Sequence, residues 1–226
     1  MNSNHSRWLK PLLDKVLTTF PVVVVAGARQ VGKTTLVRDL GKGPARRYYS
    51  LDSLDVLSQA QQDPDSLLEE LPVTLDEVQR APELLLAVKR AVDRERVAGG
   101  ILLTGSANFS LMRTVADSLA GRAIYLELSP FCRSEWEGSR AGLELVEGLF
   151  RDKLDTELWS TAETSWRDTL CRGGFPPAMM MDDETARAMW FGGDVQTYLE
   201  RDLRQLSNVG SLGDFQTLMR LAAGRT

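Results

Sequence analysis

Residues 22–35, VVVVAGARQVGKTT, decide the fold. Val22 to Ala26 is a β-branched run without polar alternation, the pattern of a strand covered on both faces. Gly27-Ala28-Arg29-Gln30-Val31-Gly32-Lys33-Thr34 follows it and fits G-x-x-x-x-G-K-[ST], and Thr34 to Leu40 then reads as a helix stopped by Gly41 and Gly43-Pro44. Strand, glycine turn and helix in that order form a cradle for phosphate. The two glycines let successive backbone amides point inward, and the helix N-terminus adds a partial positive charge. Lys33 can bridge β- and γ-phosphates, the Thr34 hydroxyl can ligate Mg2+, and Thr35 falls near the α-phosphate. The predicted phosphate-contacting residues are thus Gly27, Ala28, Arg29, Gln30, Val31, Gly32, Lys33, Thr34 and Thr35, with the Arg29 and Gln30 side chains themselves read as solvated.

Outward from this segment, Arg47 to Leu51, Val73 to Leu75, Ile101 to Thr104 and Ala123 to Leu128 read as strands. Between them lie helical patterns over Ser53 to Gln62, from Asp65, over Pro82 to Val97 and over Phe109 to Leu119. Five short strands alternating with helices predict an α/β fold, a parallel sheet with helices on both faces. Trp8, Leu12, Leu13, Val16 and Leu17 predict an amphipathic first helix, with Pro11 in its first turn. From about Phe131 only helices are predicted: Arg133 to Trp136, Leu143 to Phe150, Thr164 to Cys171, Asp183 to Leu206 with a break at Gly192-Gly193, and Ser211 to Ala223. A turn-rich stretch interrupts them at Gly173-Gly174-Phe175-Pro176-Pro177. The expected organisation is an N-terminal packing helix (1–20), a core (21–131) and a helical module (132–226) that reads as the start of something longer.

Pro72-Val73-Thr74-Leu75-Asp76-Glu77 is a short strand ending in adjacent carboxylates. Asp76 is suited to hold Mg2+, and Glu77 to orient or deprotonate an attacking water, a role that small-molecule phosphotransfer does not need. The pair therefore favours hydrolysis. Ile101-Leu102-Leu103-Thr104-Gly105-Ser106 ends in hydroxyls, so Thr104 or Ser106 is a candidate contact to the γ-phosphate or the lytic water. Arg122, just before the fifth strand, is a candidate to stabilise charge on the transferring phosphoryl group, within one chain or across a subunit boundary. Gln79 and Arg80 are weaker candidates.

Composition removes other chemistries. The 226 residues contain one histidine, His5, in a stretch expected to fray, and two distant cysteines, Cys132 and Cys171, outside any C-x-x-C pair. Histidine triads, zinc sites and a disulfide framework have no support, and the thiols read as reduced and partly buried. A net charge of -4, near balance in both parts, gives no footprint for a phosphate backbone. The apolar runs are too short to span a bilayer, and no signal-peptide pattern opens the chain, so a cytoplasmic protein without membrane contact is expected.

The phosphate loop, Leu75-Asp76-Glu77-Val78-Gln79, Leu103-Thr104-Gly105-Ser106, Leu119-Ala120-Gly121-Arg122 and Leu126-Glu127-Leu128-Ser129-Pro130-Phe131 together resemble a large, poorly characterised group of bacterial and archaeal AAA-type ATPases. Gly173-Gly174-Phe175-Pro176 and Tyr198-Leu199-Glu200-Arg201-Asp202 match the same pattern; Ala28 departs from the proline usual in that group. The resemblance implies sheet order 5-1-4-3-2, a nucleotide site at the carboxyl ends of the strands and ATP rather than GTP; Arg201 or Arg204 is a candidate lid-side sensor, with a solvated helix face the favoured reading for both. The resemblance also implies winged-helix and nuclease-like parts lying beyond this sequence, through which alone nucleic acid would enter. The expected function is a Mg2+-dependent ATPase that moves an appended domain. A slow ATP-operated switch acting on an unidentified protein partner or effector domain is the alternative, and self-association through Arg122 stays open.

Overall fold

A computed structural model describes residues 5–40, 45–106, 119–138, 148, 150, 165–199 and 211–224. Within it five strands, β1 (Val22–Gly27), β2 (Arg47–Ser50), β3 (Val73–Asp76), β4 (Ile101–Ser106) and β5 (Ala123–Glu127), form one sheet in the order β2-β3-β4-β1-β5. All four pairings are parallel. This is the α/β class and the strand order that the sequence and its resemblance lead one to expect.

Alternation along the central strands builds two cores. Val22 and Val24 of β1, Val73 and Leu75 of β3, and Ile101 and Leu103 of β4 face one side, against α3 (Leu54–Gln62), the 3-10 turn Pro64–Leu68 and α4 (Leu84–Arg94). Val23, Val25 and Leu102 face the other side, against α1 (Leu9–Leu17) and α2 (Lys33–Arg38). The uniformly apolar strands are therefore buried on both faces, as parallel strands must be. Pro11 does fall in the first turn of α1, which seats on the sheet through Leu13 and Val16.

Beyond the sheet the described residues are helical: α5 (Arg133–Glu137), α6 (Trp166–Arg172), α7 (Pro176–Met179), α8 (Glu184–Thr197) and α9 (Leu212–Ala223). Two expectations about the helices are corrected. α8 runs through Gly192-Gly193 without a break, and the turn-rich stretch after Gly174 contains the short α7, begun by Pro176 and Pro177 in its first turn, where proline's missing N–H costs nothing. The helices expected over 109–118 and 143–147, and Arg201 and Arg204, lie outside the described residues. Cys132 and Cys171 are free and exposed rather than partly buried. Among the described residues no helix is long and apolar enough to cross a membrane.

The double-sided core gives a contrast to measure. Leu103→Ala, in a fully buried strand position, should lower unfolding free energy by about 3 kcal/mol in urea titration. Leu54→Ala, at a site 75% exposed, should change it by less than about 0.5 kcal/mol.

Candidate functional site

The phosphate loop is built by close packing beneath it. A Cβ on Gly27 would stand 2.5 Å from the Leu128 carbonyl oxygen, because the Leu128 N–H donates to Ala26 O at 2.7 Å. Gln30 (φ 59°) and Gly32 (φ 97°) turn the chain through the left-handed region, which Gly32 adopts without a side-chain penalty. Val31 anchors the loop in the core, while Ala28 and Gln30 face solvent. Arg29 is half-buried rather than solvated. Thr35, in the first turn of α2, is exposed.

Lys33 is buried, and its Nζ donates to Gly27 O at 3.1 Å and Ala28 O at 3.0 Å. Burial pulls the Lys33 pKa below its ordinary value, Glu77 and Asp76 pull it back up, and Arg29 adds a smaller downward push. The cation thus waits inside the loop with carbonyl oxygens as hydrogen-bond partners.

The register places Asp76 opposite Ser50 at the end of β3, with its side chain buried. Its Oδ2 accepts the Thr34 hydroxyl at 2.9 Å and also the Tyr48 hydroxyl; its Oδ1 accepts the Thr104 hydroxyl. Burial first, then the bond to Asp76, pushes the Tyr48 phenol up to about 12, so it remains a donor at neutral pH. Glu77 leaves the strand at φ 64°, its N–H donating to Thr104 Oγ1 at 3.3 Å and its carboxylate accepting the Gln79 side-chain amide. The Gln79 Oε1 is buried without a partner. Thr34 and Asp76 offer the hard oxygen donors that suit Mg2+. Among the described residues no three His, Cys, Asp or Glu side chains gather around a metal-sized space.

Of the remaining sequence candidates, Ser106 lies beside the loop, paired with Gly27 across β1 and β4, and Thr104 lies deeper, on Asp76. Arg80 bonds Asp52 at 2.7 Å on the surface. Arg122 is not brought to the site. It precedes Ala123, which pairs with Val22 at the start of β1, so the six residues of β1 separate it from Gly27 by about 16 Å. Its guanidinium grips Asp93 through two bonds of 2.7 and 2.9 Å, which hold the Asp93 carboxyl below its usual range. A role for Arg122 on its own chain's phosphates is therefore corrected by the sheet geometry.

Sequence reasoning missed the N-terminal strut. Arg7, nearly buried, donates to Val31 O of the phosphate loop at 3.1 Å and to Ser129 O, lies 3.3 Å from the buried Glu135 carboxylate and covers the Phe131 ring at 4.1 Å. Glu135 also accepts the Trp8 N–H at 2.7 Å and the Cys132 N–H at 3.1 Å. His5, expected to fray, stacks on Trp136 at 4.3 Å between ring centres. Only the helical spacing of the first segment hinted that it packs on the core, and nothing in the sequence paired Arg7 with residues more than 120 positions away. A cavity of about 130 Å3 opens between His5, Arg7, Thr35, Phe131, Pro176 and Met180, next to Gly32 of the loop.

A glycine turn feeding a helix at the carboxyl edge of a parallel sheet, with an aspartate on the helix's first hydroxyl, defines a phosphate-loop nucleotide-binding domain. A family described as "AAA domain" matches residues 19–137, and the chain belongs to it, as an AAA-type P-loop ATPase. A second family, "Domain of unknown function (DUF8612)", matches residues 163–226. Uncharacterized proteins of Mycobacterium tuberculosis and Mycobacterium bovis are each 35% identical over 197 residues, which is 86% of this chain. The chain spans 38% of the length of these relatives. Among solved structures, the Walker-type ATPase of Pyrococcus abyssi is 18% identical, covering 97% of this chain and 77% of its own at a TM-score of 0.46. A Pif1 helicase from Bacteroides, in complex with ADP-AlF3 and ssDNA, is 11% identical, covering 73% and 52% at a TM-score of 0.38.

The strut is open to direct test. Arg7→Ala leaves Glu135 buried without its cation and should cost about 3–5 kcal/mol in chemical denaturation, whereas replacing both residues by apolar ones should recover most of that loss.

Proposed function

We propose that this chain is a Mg2+-dependent ATPase whose hydrolysis cycle moves the helical module (132–226) against the core (21–131), with the N-terminal helix (1–20) as part of the nucleotide pocket. The observation that carries the reading is the convergence of Lys33, Thr34, Asp76 and Glu77 at one edge of the sheet, with Thr34 bonded to Asp76 at 2.9 Å. The loop amides and Lys33 would bind the triphosphate, Lys33 exchanging the Gly27 and Ala28 carbonyls for β- and γ-phosphate oxygens. Thr34 would hold Mg2+ directly and Asp76 through water; when bound, the ion neutralises charge on the β- and γ-phosphates. Glu77, released from Gln79, takes a proton from the water that attacks the γ-phosphorus, and the bond to the β–γ bridging oxygen breaks to give ADP and phosphate.

The cavity lined by His5, Arg7, Thr35 and Phe131 suits an adenine base, stacked or edged by aromatic and cationic side chains. Pro176 and Met180 of the helical module share its wall, and Gly174 O accepts the Phe131 N–H at 2.7 Å. Occupancy of the cavity would therefore bear on the module, which is the basis for coupling. The bond from Gln79 to Glu77 favours a second reading, a slow switch whose water-activating carboxylate is held back until a protein partner or effector domain docks. Nucleic acid would enter only through further parts of a longer protein, and such a cycle would run in the cytoplasm.

Arg122 enters only from a neighbouring copy. Lys33→Ala should abolish ATP binding by calorimetry. Glu77→Gln should bind ATP at wild-type affinity and cleave it at least about 100-fold more slowly in single turnover; cleavage at the wild-type rate would remove the assigned role. If Arg122 acts in trans, the rate per subunit should rise with protein concentration in wild type and stay flat in Arg122→Ala.

A further inference from the structure

Tyr48 belongs to none of the nucleotide-binding motifs, yet it ends on their central acid. In the register of β2 on β3 it lies opposite Thr74, two residues before Asp76 and on the same face of the sheet. Its ring leans along the strand so that the hydroxyl reaches Asp76 Oδ2, the oxygen that also accepts Thr34 at 2.9 Å. The Arg38 guanidinium caps that ring, 4.3 Å from its centre, and Arg38 ends the helix that Lys33 begins. One phenol thus joins an edge strand, the phosphate-loop helix and the acid.

We propose that Tyr48 is the positioning residue that sets the Asp76 carboxylate for the nucleotide-bound cation, a role resting on the nucleotide reading above. A carboxylate can turn about its Cβ–Cγ bond. With one donor on each oxygen, a small turn would take Oδ2 off the Thr34 hydroxyl, which donates its proton to Asp76 and so would have its lone pairs free for a cation. A second donor on Oδ2, delivered by a ring clamped under Arg38, removes that freedom. Partners of this kind orient metal-binding groups and commonly change metal affinity by about 10–100-fold.

Tyr48→Phe keeps the ring and deletes only the hydroxyl. Affinity of the full chain for a fluorescent ATP analogue, measured in EDTA and again in saturating Mg2+, separates nucleotide from metal. The variant should hold its EDTA affinity within about twofold and lose about tenfold of the gain that Mg2+ confers. An undiminished Mg2+ gain overturns the proposal, and so does an equal loss in EDTA and Mg2+, which marks a structural role. Asp76→Asn run alongside should lose the Mg2+ gain. If it does not, the nucleotide reading itself fails; if it does and Tyr48→Phe keeps the gain, the Tyr48 proposal fails alone.

Discussion

A buried carboxylate at a strand tip is costly unless donors surround it, and the Asp76 side chain is met by three hydroxyls from three elements. Tyr48 comes from β2, Thr104 from β4 and Thr34 from α2. The strand order is what brings those donors together. β3 lies between β2 and β4, so both hydroxyls reach it, and β1 lies next to β4, so its following helix brings Thr34 across. The two apolar cores fix the strands, and the polar edge of the same strands converts that order into a site.

A second polar centre, at Arg7 and Glu135, sits on the other side of the phosphate loop. It binds the loop at Val31, the exit of β5 at Ser129 and the start of α5 through one ion pair. Such a pair contributes little net stability over an apolar replacement, but an unpaired member is strongly destabilising, so it specifies which surfaces meet. Phe131 extends the cluster to the helical module, since its ring lies under Arg7 and its amide reaches Gly174, where a Cβ would stand 2.4 Å from the Phe131 carbonyl. The cavity beside Gly32 and the module thereby share a wall.

What could be read from the sequence was local. The β-branched run of β1, the glycine spacing of the loop and the apolar-then-acidic ending of β3 are each contained within a dozen residues, and each predicted its element. What could not be read was set by tertiary pairing. Arg47-Tyr48-Tyr49-Ser50 offers two tyrosines, and only the register on β3 shows that Tyr48 shares a face with Asp76. Arg122 stands before a strand in a sequence order that fits a site residue, but parallel strands carry their starts and their ends to opposite edges, and it lies at the wrong one for its own chain. Gly192-Gly193 suggested a break by propensity, and a helix of 14 residues absorbs the cost, which is about 1 kcal/mol per glycine.

The bonds of Lys33 and Glu77 also bear on how the proposed cycle would begin. Lys33 is bonded to neutral carbonyls and Glu77 to a neutral amide, so each charged group is solvated by the protein. In the proposed cycle a triphosphate would bring an anion to Lys33, and exchanging two carbonyl bonds for phosphate bonds would favour the bound state because the ionic bond is the stronger one. Glu77 differs, because its backbone is already committed. The left-handed φ of 64° is fixed by its N–H on Thr104 and by the Arg80 N–H donating to its carbonyl at 3.1 Å. Releasing Gln79 would then swing a side chain on a fixed backbone, a small motion for a residue that has to find one water molecule.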